Sequence, residues 1–523
     1  MGLRGWWSGW WFCGGLALGC VDPGVKPADT GRASGDSAPV HSATEDSRTS
    51  DDSPEPDSTH SGIHSGDSGD DTAVPTDDSA DTAADCPDTG DGTLPGDDTG
   101  EATDACDGDL VGVRDTKLCG QVASQRAGYA LSAGSTGPCS PPAIAIGDYT
   151  KTGEVDAYVT YGDPTNGWLS DLTHIGGLVD DQTPFFAIAV EISGDYDGDG
   201  YVDLAAGAPF ADLGYADGRL YVYAGPIDTS ASVDTYDAAV NSVTPSSYFG
   251  MQLAGVDDLE GDGDDELLVG NSWSSFVGSA TLLTGPIESM TISDAAANYT
   301  HVGHNPGDAV AAGDLDGDGV QEVLLLDSPD GDFYGSVWIV PADRRGNIAL
   351  LDETAVSGTD DYPLWSWDIE AGDVNGDGYA DLLTQYATDT KITTAAVWAG
   401  PITTSVDITA AAATLTFRED YAIFYVGICG DLNGDAQSGD LILGIPGLSQ
   451  LHTVSAPISG AVELDSTTLI AEQESDADQF GAAITCVPDL DHDGYDDLII
   501  GAPYNDEGAT DGGAVYTLFG GSW

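Results

Sequence analysis

Residues 480–503 read FGAAITCVPDLDHDGYDDLIIGAP, two short apolar runs around a loop dense in oxygen donors. Asp489, Asp491 and Asp493 occupy positions 1, 3 and 5 of that loop, Gly494 position 6, Tyr495 position 7 and Asp497 position 9. Side-chain oxygens at 1, 3, 5 and 9 and a backbone carbonyl at 7 can converge on one point, because glycine at 6 permits the sharp turn. Ca2+ takes about six to eight hard oxygens, which this pattern supplies. The flanking runs are stopped by Gly or Pro and are too short for helices, so the loop is expected to join two β-strands.

The same phrase recurs along the chain. DYDGDGYVD begins at Asp195, DLEGDGDDE at Asp258, DLDGDGVQE at Asp314, DVNGDGYAD at Asp373 and DLNGDAQSGD at Asp431, with DYTKTGEVD at Asp148 as a further copy. Start-to-start spacings are 47, 63, 56, 59, 58 and 58 residues, the mark of a periodic array. Five expected ligand sets are complete: Asp195, Asp197, Asp199, Tyr201, Asp203; Asp258, Glu260, Asp262, Asp264, Glu266; Asp314, Asp316, Asp318, Val320, Glu322; Asp373, Asn375, Asp377, Tyr379, Asp381; and the Asp489 set with Tyr495. The copy at Asp431, with Asn433 and Asp435, has Ala436 in place of glycine and delays its closing acid to Asp440, while the first copy replaces acids by Thr150 and Thr152. Five calcium ions are expected, and up to seven if these two loops also bind. An EF-hand would need Glu at position 12, where four of the best copies have Ala206, Leu325, Thr384 and Ile500.

The 523 residues include 90 Asp and Glu against 13 Lys and Arg, a formal net charge of −77, which excludes nucleic acid as a partner. Residues 1–20 read as a secretory signal ending LALGC, similar to the lipobox of bacterial lipoproteins, in which Cys20 would take lipid. Ordinary signal cleavage is the alternative. Residues 21–107, rich in Asp, Ser, Thr, Gly and Pro, contain almost no large aliphatics and are expected to form a disordered tether. Residues 108–523 are then the folded part, anchored through the lipid at a bacterial outer membrane or cell surface.

Phe249-Gly250 and Phe480-Gly481 precede two of the loops, Gly207-Ala208-Pro209 and Gly501-Ala502-Pro503 follow two, and strands such as GRLYVYAGP from Gly218 complete the unit. This phrase resembles the FG-GAP repeat of integrin α-chain propellers and their bacterial relatives. The resemblance implies an all-β, seven-bladed β-propeller with structural calcium on one face and partner contacts on the other. About 58 residues suffice for a four-stranded blade. After the last loop only two strand-like runs remain, so the segment between Leu110 and Leu131 is expected to supply a strand that latches the ring. On equivalent inner strands of neighbouring blades, Cys429 and Cys486 are expected to form a disulfide; Cys119 with Cys139, and Cys86 with Cys106, are further candidate pairs.

No GxSxG, HExxH, CxxC or phosphate-loop motif is present, so a non-enzyme is expected. His301 and His304 form the only close histidine pair of the propeller and read as loop residues rather than a zinc site. Trp338 and Trp398 read as packing residues, Trp365 and Trp367 as contact residues. The function expected is a calcium-stabilised, monomeric adhesion or ligand-binding module for a protein or glycan. A secreted carbohydrate-active or hydrolytic enzyme, or a structural envelope component, is the alternative.

Overall fold

The computed structural model describes residues 110–521 apart from short interruptions, of which 272–278 and 418–424 are the longest. The signal, the tether, Cys20, Cys86, Cys106, Cys139, Trp273, Trp365 and Trp367 lie outside the described residues. Strands form seven sheets, and the described residues contain no helix beyond five three-residue 3-10 turns. Blade one comprises Ala130–Gly134, Ala143–Gly147, Glu154–Tyr161 and Thr173–Leu178, from the innermost strand outward. Blades two to six follow in chain order. Blade seven takes Ala483–Val487, Asp497–Ala502 and Ala514–Leu518 from the end of the chain and its fourth strand, Asp115–Cys119, from the beginning. The register runs antiparallel from Asp115 opposite Leu518 to Cys119 opposite Ala514, so the expected latch is present.

The apolar residues gather into seven clusters, and each lies between two neighbouring blades. Leu204 and Ala143 share the cluster between blades two and one, while Ile144, Ile146, Val487 and Ile499 share the one that closes blade seven onto blade one. A blade is thus half of two cores, and none buries its faces alone. Trp338 and Trp398 are buried in such clusters, as expected of packing residues.

The glycines of the repeat lie where adjacent blades touch. A β-carbon on Gly207 of blade two would stand 1.9 Å from the carbonyl oxygen of Gly250 in blade three, and one on Gly501 would stand 2.0 Å from that of Gly128 in blade one. Gly250 and Gly128 also hold φ of +88° and +80°, which favour glycine. Phe249 and Phe480, the aromatic partners in the FG phrase, are fully buried.

One feature was not legible in the periodicity. Two-residue strands reach from one blade to the preceding one in parallel, as Ala231–Ser232 does against Thr173–Leu178 and Met290–Thr291 against Ala238–Asn241. Each of these two leads into a 3-10 turn that buries one aliphatic, Val233 or Ile292. The disulfide joins Cys429 to Cys486 with Cα atoms 5.6 Å apart, pinning the inner strands of blades six and seven. Cys119 is also disulfide-bonded.

Deleting residues 110–119 removes the fourth strand of blade seven and exposes the edge of Ala514–Leu518. The expected result is loss of the cooperative calorimetric transition of the folded domain; a transition of undiminished enthalpy would show that the latch is dispensable.

Candidate metal centres

Successive antiparallel strands place the connections from first to second strand on one face of the ring. Six loops lie there: Asp195–Asp203, Asp258–Glu266, Asp314–Glu322, Asp373–Asp381, Asp431–Asp440 and Asp489–Asp497, in blades two to seven. The copy at Asp148 does not join them. It follows the second strand of blade one, Ala143–Gly147, and so lies on the opposite face. There Asp148 is buried, accepting from the Asp156 N–H at 3.3 Å and from Gln125 Nε2 at 3.5 Å, and burial raises its pKa well above the carboxylate range. The array on the loop face therefore has six members, and the short 47-residue first spacing was the sequence signal of this displacement.

The first acid of each loop organises the backbone. Asp195 Oδ1 accepts the N–H groups of Gly198 and Asp199 at 2.8 and 3.1 Å, and its Oδ2 that of Gly200 at 2.7 Å. Asp258, Asp373 and Asp431 accept the equivalent three donors, and Asp314 two. Asp489 receives Gly494 N–H at 3.0 Å. These bonds leave the acids at positions 3 and 5 projecting outward, with Asp197, Asp199, Asp262, Asp318, Asp377 and Asp435 exposed.

The closing acid is different: Asp203, Glu266, Glu322, Asp381, Asp440 and Asp497 are all buried. Asp203 accepts the Tyr196 N–H at 2.8 Å and the Gly225 N–H at 2.7 Å, tying the loop to the turn after the third strand. Asp381, Asp440 and Asp497 do the same with Gly400, Ala456 and Gly520. Burial pushes Asp203, Glu322 and Asp497 up to about 7 and raises Asp381 and Asp440. Glu266 rises to about 8 through burial and a hydrogen bond with Glu260, while Glu260 is lowered by that bond and by Arg345.

The loops differ in how their acids are disposed. Three acids bring ligand atoms within 4.8 Å of one another in Asp195, Asp197 and Asp199, in Asp314, Asp316 and Glu322, and in Asp489, Asp491 and Asp493. Asn375 Nδ2 donates to both oxygens of Asp381 at 3.0 and 2.9 Å, and Asn433 Nδ2 donates to Asp440 at 2.8 Å. Presenting the amide oxygen to a cation there requires the amide to turn over. Ala436 adopts φ +65° and Gly439 absorbs the extra residue, so Asp440 reaches the same position as the other closing acids. The carbonyl-bearing residue at position 7 has a second role. Tyr379 packs on Gly317 of the preceding loop and Tyr495 on Gly434, where an added β-carbon would stand 2.1 and 2.5 Å from the rings.

With this geometry, the comparisons with known proteins identify the repeat. The FG-GAP repeat model matches residues 192–223 and 480–518, and the FG-GAP-like repeat model matches residues 314–384. Those three stretches carry FG-GAP repeats within a seven-bladed propeller. The chain is 34% identical over 114 residues to integrin alpha pat-2 of Caenorhabditis elegans, covering 21% of this chain and 9% of that one. It is 30% identical over 159 residues to mouse integrin alpha-E, covering 29% and 13%. The matched region therefore spans only a small part of these relatives. A solved structure of the WD40 domain of Toxoplasma gondii coronin aligns with TM-score 0.41 and 12% identity, over 79% of this chain and 88% of that one.

The two kinds of acid predict different mutational behaviour in chelator. Asp381→Ala strips acceptors from the buried N–H groups of Val374 and Gly400, an expected loss of about 2–5 kcal/mol. Asp377→Ala removes an exposed acid that accepts only the Tyr379 N–H, with an expected loss of about 1 kcal/mol or less. Denaturant unfolding of both variants measures the difference, and equal losses would contradict the structural role of the closing acid.

Proposed function

We propose that the protein is a surface-held ligand-binding module whose loop face carries structural Ca2+ and whose opposite face meets the partner. The observation that carries this reading is the division of chemistry between the faces. One is lined by six acid-rich loops. The other holds an aromatic arc in which Tyr149, Phe185, Phe210 and Tyr248 follow one another with centroids 4.7–5.3 Å apart. Arg126 lies between the rings of Tyr149 and Tyr504 at 5.4 and 4.6 Å. Tyr149 and Phe185 are buried, while Phe210, Tyr248 and Tyr504 stay half-buried beside the stacked guanidinium, and such partly open rings suit a protein or glycan surface.

Calcium is the cation that fits the loops: the donors are carboxylates, amides and carbonyls, with no nitrogen or sulfur ligand. Asp195, Asp197, Asp199 and Asp203, with the Tyr201 carbonyl, would hold one ion, and the equivalent residues would hold the others. A cation would offset the charge of the buried closing acids, making the loops rigid supports rather than a reactive centre. The integrin α-chain likeness supports a binding rather than a catalytic role. Lipid on Cys20 and reach through residues 21–107 would hold the propeller away from a bacterial membrane, and the mass of the mature N-terminus tests that anchor.

The central experiment measures melting and metal content with Ca2+ and with EGTA, then screens the Ca2+-loaded protein against glycan arrays and cell surfaces. Bound calcium and a melting temperature that falls by several degrees in EGTA are expected. Arg126→Glu and Tyr504→Ala should weaken any ligand found at least tenfold, while Asp377→Ala in Ca2+ should not. No bound calcium would overturn the structural-ion reading; binding lost only through loop-face substitutions would overturn the assignment of faces.

A further inference from the structure

On the face opposite the loops, the connection from blade three to blade four carries His301 and His304, between strands Ala297–Thr300 and Pro306–Gly313. Asp327 ends the second strand of blade four, Glu322–Asp327. Blades two and seven have Ala208 and Ala502 at the corresponding place, five residues after the closing acid. An acid here is a departure from the repeat, and it is fully buried. The fold brings together three residues that are remote in the sequence pattern.

Their contacts are specific. Asp327 Oδ2 lies 2.5 Å from His301 Nδ1, and its Oδ1 accepts the Asn305 N–H at 3.0 Å. The His304 ring stacks on that of His301 with centroids 4.3 Å apart and planes 22° from parallel. Phe333 packs on both imidazoles at 4.5 and 5.5 Å, and Trp338 stands edge-on to His301 at 5.2 Å. Inside this aromatic wall, His304 Nδ1 is buried without a hydrogen-bond partner among the described residues. Such an orphan keeps a desolvation penalty that a plain packing residue would avoid. One donor atom from each of His301, His304 and Asp327 lies within 4.8 Å of the other two.

We propose that His301, His304 and Asp327 form a binding site for a Zn2+-class transition-metal ion, separate from the oxygen-lined loops. Two imidazoles and one carboxylate are the donor set of zinc and its first-row neighbours, not of calcium. A tetrahedral metal bound about 2.0–2.1 Å from each ligand sets neighbouring donor atoms about 3.3 Å apart. The present His301 to Asp327 spacing is therefore a hydrogen bond. Metal entry replaces the bridging hydrogen, the neutral imidazole carries its one proton on Nε2 instead, the pair opens by nearly an ångström, and the stacked rings tilt apart so that both lone pairs aim at the ion. His304 Nδ1 gains the partner it lacks. With three protein ligands, the fourth tetrahedral position falls to water.

The test uses the full chain without a histidine tag, saturated with Ca2+ so that the loops do not compete, and titrated with Co2+ as the optical stand-in for zinc. The expected result is one equivalent bound, with the intense visible absorption of a tetrahedral, nitrogen-ligated ion that Zn2+ then displaces. His304→Gln and Asp327→Asn should each weaken binding by at least about tenfold. His304→Gln should leave the calcium-dependent melting shift in place, which separates loss of the site from loss of the fold. Absence of nitrogen-ligated Co2+ in the wild-type protein, or affinity unchanged in both His304→Gln and His301→Gln, would overturn the assignment.

Discussion

Where blades two and three meet, the carbonyl oxygen of Gly250 occupies space that a β-carbon on Gly207 would need, and Gly501 and Gly128 make the same contact where the ring closes. Backbone against backbone at this distance fixes the spacing of the blades, and the seven apolar clusters then fill what is left between them. The FG and GAP phrases are thus two halves of one joint, with glycine on each side for steric reasons and a buried Phe anchoring one of them. Where a joint lacks one glycine the geometry is retained at a conformational cost: Ala187 faces Gly147 with φ +61°.

Much of this was legible because the repeat is written in residue types with few alternatives. Asp at alternate positions followed by Gly, at a spacing near 58, identifies loop, strands and blade together, and the shortfall of strands after Asp497 requires the latch from the start of the chain. Cys429 and Cys486 could be paired because equivalent positions on neighbouring inner strands are close in any propeller. The clasps such as Ala231–Ser232 were not legible, since two residues carry no periodicity. Asp148 misled for a related reason: an acid-rich turn can occur at either end of a strand, and only the shortened spacing told the two apart.

The His301, His304 and Asp327 cluster shows a different limit. A repeat is read by what its copies share, whereas Asp327 matters because it departs from them. His301 and His304 alone supply two donors on a connection, and the third comes from a strand whose alternation gives no reason to single it out. Tertiary folding, through the 4.3 Å ring stack and the Phe333 wall, is what turns a histidine pair into a three-donor cluster.

The two faces also place their constraints on different joints. On the loop face, backbone N–H groups of Asp265, Ala380 and Asp496 donate to the carbonyls of Asp195, Asp314 and Asp431, which couples blades two with three, four with five and six with seven. Blade one has no acid-rich loop on that face, because its only copy, at Asp148, lies on the other. The closing joint therefore depends on the Asp115–Cys119 strand, on Gly128 against Gly501, and on Arg126 held between Tyr149 and Tyr504. Cations on the loops would rigidify pairs of blades, but they would not by themselves close the ring. The net charge of −77 is consequently not a uniform burden: the part on the loops can be met by bound cations, while the joint that must hold at both ends of the chain is built from backbone contact, apolar packing and one of the few arginines.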